Sequence, residues 1–546
     1  MSDRQPCSTD SRTGSRITSA LALFTALGLL AFNLFCFLRV AGRAVRSPYE
    51  LDYGEGIVWQ QMRLMFQGKG YGPIDGFPAI VFHYPPLYHA TVQALISTAG
   101  IDPLMAGRLI SFVAAIVCVL LVAALAWQLR RPRESNAVAA ICAVLAGLAI
   151  LTLTTVESWA LLMRVDMMAI SLSLAGTWFG IRAITRPSEV YLAAICFVAA
   201  FFTKQTAVAA PVAVFATLLL LRPATAWRGI ALSVALGVTI LGSLALATDG
   251  GILRHLFLYN INRFDLRELG QIPALVRIQL LFFAAVAIGL WQALDERLPA
   301  YVALPTWKKR REKLADDPAD GALLLILIYF AAKTLMLLLA AKSGSNVNYF
   351  IEWMLVGAIF AGRAARDIAA SAVGGQSHSV SSALRFLAPA ALAVSALASG
   401  LAAQRAIASP AERQQRLKAF SDLSEAIRAA PKPVISDDMV ILLRGGKDVV
   451  WESSIFAELA STGMWDEGPF VERIRTHGFS FFITEGDRGD PNFDSRYTPA
   501  VASAMEHAYP IECRLAGYTL HFPVEAAGPA PKTPTHCVPL AGLRRP

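Results

Sequence analysis

Polar and apolar positions along this chain are sorted into long blocks. Residues 17–38, 109–129, 136–156, 229–248 and 386–404 each run without a single Asp, Glu, Lys or Arg. Each block approaches the roughly 20 residues that an α-helix needs to cross a hydrocarbon core of about 30 Å. The pattern predicts helices over 17–40, 104–129, 136–156, 164–182, 189–204, 206–221, 229–248, 273–294, 320–342, 348–362 and 385–404. Segment 85–101 is apolar but short and opens on two prolines, so it is expected to lie in or against the interface. After about Ala402 no spanning run remains. The tail mixes β-like runs (439–443, 480–484) with helix-like runs (454–461, 501–507), and so reads as a small α/β domain.

Composition agrees with a membrane reading. Of the 546 residues 55% are apolar and only 16% charged, against about 25% charged in soluble proteins. A disordered chain, a disulfide scaffold and a cytosolic enzyme are excluded. So is an outer-membrane barrel, whose strands alternate over about ten residues. The net charge of +9 does not indicate nucleic acid, because the basic residues sit in short gaps between apolar runs. These include Arg130, Arg131 and Arg133, then Lys308 to Lys313, then Arg363 and Arg366. Short loops rich in Lys and Arg stay in the cytoplasm. Arg4, Arg12 and Arg16 precede the first run, which is too long for a cleaved signal. The expected layout is therefore a cytoplasmic tail (1–16), a membrane domain (17–404) and an outer α/β domain (405–546). Cys36, Cys118, Cys142 and Cys196 fall in apolar spans. The tail cysteines, Cys513 and Cys537, are able to pair in an oxidising compartment.

With this topology the unusual polar residues gather on one side. Asp52 and Glu55 lie three apart just past the first span, on one face if the segment is helical, and one can take a proton while the other holds an acceptor or a cation. His83 and Tyr84 stand at the head of the Pro85-Pro86 helix start. Arg108 opens a span at its outer end, against the basic-inside bias, and is a candidate for binding an anion. Arg164 and Asp166 at a span mouth are costly unless paired or lining a cavity. Lys204, between two short apolar runs, suits a phosphate. His255 and Arg263 are weaker candidates in the 249–272 loop. Asn348 and Glu352 share a face one helical turn apart. No Cys-x-x-Cys or His-x-x-x-His spacing suggests a metal site, although these acids are compatible with a divalent cation.

In order along the chain these motifs resemble the GT-C superfamily of membrane glycosyltransferases, nearest to its bacterial branch of protein O-mannosyltransferases and the lipid A aminoarabinose transferase. The likeness rests on Asp52-Tyr53-Gly54-Glu55, Pro85-Pro86-Leu87, Arg108, Arg164-Val165-Asp166, Thr203-Lys204 and Asn348–Glu352. It implies an all-α polytopic GT-C domain of about eleven spans in a bacterial inner membrane, with the tail domain periplasmic. It also implies inverting transfer from a polyprenyl-phosphate sugar to a glycan, lipid or protein hydroxyl. In that scheme Asp52 is the general base, Asp166 holds the acceptor or the base, and Lys204, Arg108 or Arg164 steadies the lipid phosphate. Many relatives have adjacent acids in the first motif, so a second-acid role for Glu55, here separated by Tyr53 and Gly54, stays open. A transporter or flippase of a lipid-linked sugar is the alternative; it is expected to carry ionisable groups near the midplane and a two-fold repeat. A structural or assembly protein has no need of acids at span mouths.

Overall fold

Helices occupy all eleven expected spans. The computed structural model describes residues 9–260, 262–374, 384–405, 409–524 and 538–539. The first span is α1 (Thr9–Ala44), and two helices outside the spans follow, α2 (Glu55–Phe66) and α3 (Leu87–Ala99). Then come α4 (Pro103–Gln128), α5 (Asn136–Ala149), α6 (Asp166–Ala183), α7 (Glu189–Thr203), α8 (Ala209–Leu221) and α9 (Pro223–Ala247). The remaining spans are α10 (Leu280–Val302), α11 (Pro318–Met336), α12 (Asn348–Arg363) and α13 (Leu384–Arg405). Among the described residues, five helices are long and apolar enough to cross a membrane alone, or six if a bent pair around residue 279 counts as one span.

A shorter helix suffices where protein encloses it. Helix α12 packs against α4, α5, α10 and α11 and buries almost every residue from Phe350 to Arg363. Helix α9 is the opposite case. Its most apolar stretch of 18 residues has none buried inside the protein. An apolar surface of that length is stable only against lipid. Helix α3, of 13 residues, lies outside the expected spans and packs against α2, α4 and α7.

The tail holds α14 (Pro410–Ala429), α15 (Met439–Arg444), α16 (Ser453–Ser461), α17 (Gly468–Arg475) and α18 (Pro499–Ala508). Its sheet is formed by β1 (Ile435–Ser436), β2 (Phe482–Thr484), β3 (Ile511–Leu515), β4 (Tyr518–Phe522) and β5 (Val538–Pro539), in the order β1-β2-β4-β3-β5. Strands β1 and β2 are parallel and the other pairings antiparallel. The β-like run at 439–443 is corrected to helix. Asp438 caps it by accepting from the Ile441 amide at 3.0 Å, and five buried residues in a row leave no period by which to tell strand from helix. Cys513 is disulfide-bonded; Cys537 lies outside the described residues.

The tail does not hang free. Ile57, Met62 and Leu104 share one hydrophobic cluster with Phe420, Val440, Ile483 and Phe522. Gly56 of α2 meets α15 so closely that a Cβ would stand 2.5 Å from the Val440 backbone nitrogen. Asp102 caps α4 through the Leu104 and Met105 amides and also takes the Arg444 guanidinium at 2.5 and 2.9 Å. Buried Glu50 accepts from the amides of Gly54 and Gly56 on one side of the seam and Met439 and Val440 on the other.

Burial first, and then the adjacent Asp438 carboxyl, push Glu50 well above the usual carboxylate range. A native value raised above the unfolded one gives stability that is complete at acid pH. That stability fades as pH rises through the native value. The thermal stability of the wild type should therefore fall as pH rises from the ordinary carboxylate range toward the raised native value. Glu50→Gln should flatten that decline, and an unchanged pH profile in the variant would exclude Glu50 as its source.

Candidate active site at the tail-domain face

The loop after α1 is built around Glu55 and Arg108, the first residue of α2 and a buried residue of α4. Neither exposes any surface. Arg108 makes five hydrogen bonds: Nε and Nη2 to the two Glu55 oxygens at 2.8 and 2.6 Å, and the others to the carbonyls of Ala44, Ser47 and Tyr49. Glu55 also accepts from the amides of Leu51 and Met163, both at 2.8 Å. Every guanidinium donor is thus engaged. The sequence offers Arg108 as an anion-binding candidate and leaves a second-acid role for Glu55 open; here the two side chains bind each other and the surrounding backbone. Arg108 staples the α1 exit to α2.

With the loop so held, Asp52 is left at its surface, its side chain 35% exposed, with Oδ1 3.1 Å from Nη2 of Arg164. The same Nη2 donates to the Tyr53 carbonyl. Gly54 between them has φ of 97°, and a Cβ there would stand 2.6 Å from the Arg164 guanidinium. Only glycine allows both the left-handed turn and the close approach. Arg164 interacts electrostatically with Tyr84, Asp52 and Asp166 together, so it links the first acid to the next helix mouth.

At that mouth Asp166 is 1% exposed; its Oδ1 takes Nζ of Lys204 at 2.5 Å and Nδ2 of Asn348 at 2.9 Å. Three span ends, those of α6, α7 and α12, thereby meet. Lys204 ends α7 in extended backbone and lies over the Tyr349 ring at 5.3 Å. Asp166 Oδ2 and Asn348 Oδ1 are buried without a hydrogen-bond partner, and buried polar atoms ordinarily have one. A cavity opens here, lined by Asp166, Lys204, Asn348 and Tyr349, and also by Lys333 and Glu352. Lys333 of α11 pairs with Glu352 at 3.0 Å, and Tyr329 donates to the same carboxylate.

Lys333 did not emerge from the sequence reading, yet a lone Lys inside the apolar run 321–341 was its signal. His83 instead turns toward the tail, 3.1 Å from Glu452 and 3.4 Å from Asn260, while its carbonyl accepts from Gln205 next to Lys204. Tyr84 faces Asp166, Arg164 and Lys204. His255 and Arg263 are structural. His255 accepts from the Phe82 amide and donates to the Gly72 carbonyl, and burial pushes it down to about 4. Arg263 binds Glu458 of the tail at 3.2 Å.

Among the described residues no three His, Cys, Asp or Glu side chains gather to hold a metal. Beside Asp166 the cation position is already taken by the Lys204 ammonium.

No family model matches the sequence, and no curated protein does. Solved structures do. The crystal structure of ArnT from Cupriavidus metallidurans bound to undecaprenyl phosphate matches with a TM-score of 0.55 at 14% identity, over 92% of this chain and 99% of that one. Its apo form matches with a TM-score of 0.55 at 13% identity, over 91% and 98%. The chain has the ArnT fold. This is the GT-C architecture that the ordered motifs implied. In this ArnT-like fold the acids and cations named above lie at the ends of the spans nearest the tail domain.

Proposed function

We propose that the chain is a membrane glycosyltransferase that moves a sugar from a polyprenyl-phosphate donor to a hydroxyl acceptor, with inversion, on the tail-domain side of a bacterial inner membrane. The observation that carries this reading is the cavity between Lys204 and Lys333, in a fold whose solved counterpart is bound to undecaprenyl phosphate. Each ammonium has three donors, and each gives one to its carboxylate partner, leaving donors for phosphate oxygens. Unpartnered Asp166 Oδ2 and Asn348 Oδ1 suit hydroxyl groups of a sugar or an acceptor.

In this scheme Asp52 takes the proton of the acceptor hydroxyl, and the oxygen attacks the anomeric carbon opposite the phosphate. The bond from that carbon to the phosphate oxygen breaks, its electron pair leaves on the lipid phosphate, and the configuration inverts. Lys204 and Lys333 spread the charge that develops on the leaving group, where fixed cations in a water-poor site are most effective. Arg164 orients Asp52, and Asp166 with Asn348 orients Lys204. The collection of ionisable groups at one end of the spans favours this over a transporter, which needs them near the midplane.

The direct test is binding of undecaprenyl phosphate to the purified full chain in nanodiscs, followed by native mass spectrometry. Lys204→Ala with Lys333→Ala should weaken it at least about tenfold, a modest loss for two charge-assisted contacts. Equal binding by wild type and variant would reject the phosphate assignment. Orientation is tested separately. A reporter active only outside the cytoplasm, fused to the C-terminus of the full chain, is expected to be active, in keeping with the basic loops and the disulfide at Cys513. An inactive fusion would reverse the topology.

A further inference from the structure

A second cavity lies at the end of the bundle away from the tail domain. It opens where the ends of α4, α10 and α12 meet the start of α11. Four arginines line it, Arg131, Arg297, Arg363 and Arg366, together with Gln292 and Phe360. Among the described residues no carboxylate lines it; the acids nearby pair with its arginines. Glu134 takes Arg363 through two bonds of 2.7 Å, and Asp320 takes Arg297 at 2.9 Å. Arg297 also donates to the carbonyls of Ala319 and Leu129, both at 2.9 Å.

These contacts aim and hold guanidinium groups around a hollow rather than letting them reach into solvent. Arg131 and Arg363 lie close enough to Arg297 to act on it as like charges, opposed by Asp320 and Asp317. A second, independent observation points the same way. Gln292 Nε2 faces this cavity buried and without a hydrogen-bond partner, a donor that a phosphate oxygen would satisfy. The rest of the lining is apolar, from Leu129, Leu323 and Phe360 among others. Planar guanidinium forks suit phosphate through paired hydrogen bonds, and basic pockets between membrane helices are recurrent phosphate-headgroup sites.

We propose that this cavity binds a phosphate group, distinct in place and residues from the candidate active site. The probes are 1-palmitoyl-2-oleoyl phosphatidylglycerol, the corresponding phosphatidylcholine, and inorganic phosphate. Each is added to the purified full chain in neutral detergent, with thermal shift and native mass spectrometry as readouts. The test variants are Gln292→Leu and Arg131→Ala with Arg366→Ala, which leave the Arg297 and Arg363 ion pairs in place. Lys308→Ala with Lys309→Ala, on the exposed basic helix Trp307–Asp316, is the charge-matched control.

Stabilisation by phosphatidylglycerol but not by phosphatidylcholine, weakened about tenfold or more in the cavity variants and kept in the control, supports the site with a lipid headgroup as its source; two lost charged donors readily account for tenfold. The same pattern with inorganic phosphate supports it with a soluble phosphate as the source. Equal response of wild type and cavity variants to all three probes overturns the proposal. So does an equal loss in the Lys308/Lys309 control, which would reduce the effect to general surface charge. A cavity variant too unstable to purify is replaced by Gln292→Glu, which sets a negative charge against the phosphate and should abolish the response; a full response by that variant also overturns the proposal.

Discussion

Asp52→Asn should lower sugar transfer by about a hundredfold to ten-thousandfold, the usual contribution of a positioned general base, and leave the thermal unfolding temperature near that of the wild type. The second half of that expectation follows from the surroundings. The Asp52 side chain is 35% exposed and, among the described residues, its side-chain partner is Arg164, which an Asn oxygen still accepts from. Arg164 also remains anchored on the Tyr53 carbonyl, so the loop keeps its shape. The assay uses the full chain with a polyprenyl-phosphate sugar, and retention of full activity by the variant rejects Asp52 as the base. A variant that binds undecaprenyl phosphate normally but does not turn over separates loss of chemistry from loss of the donor site.

Arg108→Met is expected to act through folding instead. It strands the Glu55 carboxylate with no exposed surface and without its cation. Removing one partner of a buried pair costs about 3–5 kcal/mol, a large share of the roughly 5–15 kcal/mol that holds a typical domain together. Loss of folded protein, or a fall of many degrees in the unfolding temperature, is the outcome to look for. Arg108→Lys should not rescue it, since one ammonium has three donors for a site that uses five. If Arg108→Met instead unfolded like the wild type and lost only donor binding, Arg108 would be a substrate contact after all.

These two residues show where a sequence can and cannot be read. The spans were legible because hydropathy over about 20 residues has few other causes. Helix α12, whose 16 residues are too few to cross comfortably, was still legible from the polar motif at its start. Asp52, Asp166, Lys204 and Asn348 were legible as polar residues at span mouths. The three that converge directly are Asp166, Lys204 and Asn348, while Asp52 joins them through Arg164. Arg108 and Glu55 carry the same outward signal as those residues. Whether a misplaced charge grips a ligand or a neighbouring loop depends on partners more than fifty residues away, and no local pattern encodes that.

Lys333 was the opposite error, a charge hidden by the length of the apolar run around it. The run at 439–443 failed for a simpler reason: Met-Val-Ile-Leu-Leu is apolar throughout, and the useful cue was the capping Asp438 just before it.

Asp102 sets a limit on how the molecule can be divided. One carboxylate both starts α4 and receives Arg444, so the membrane helices and the tail are not interchangeable modules joined by a linker. A chain cut after α13 would lose Arg444 and bare the α2 surface that Met439 and Val440 cover, leaving a sticky, poorly ordered loop beside Asp52. Grafting this tail onto another bundle would meet the same difficulty from the other direction. The evolutionary unit is then the pair, and changes at the seam are expected to arise in compensating sets, one from each side.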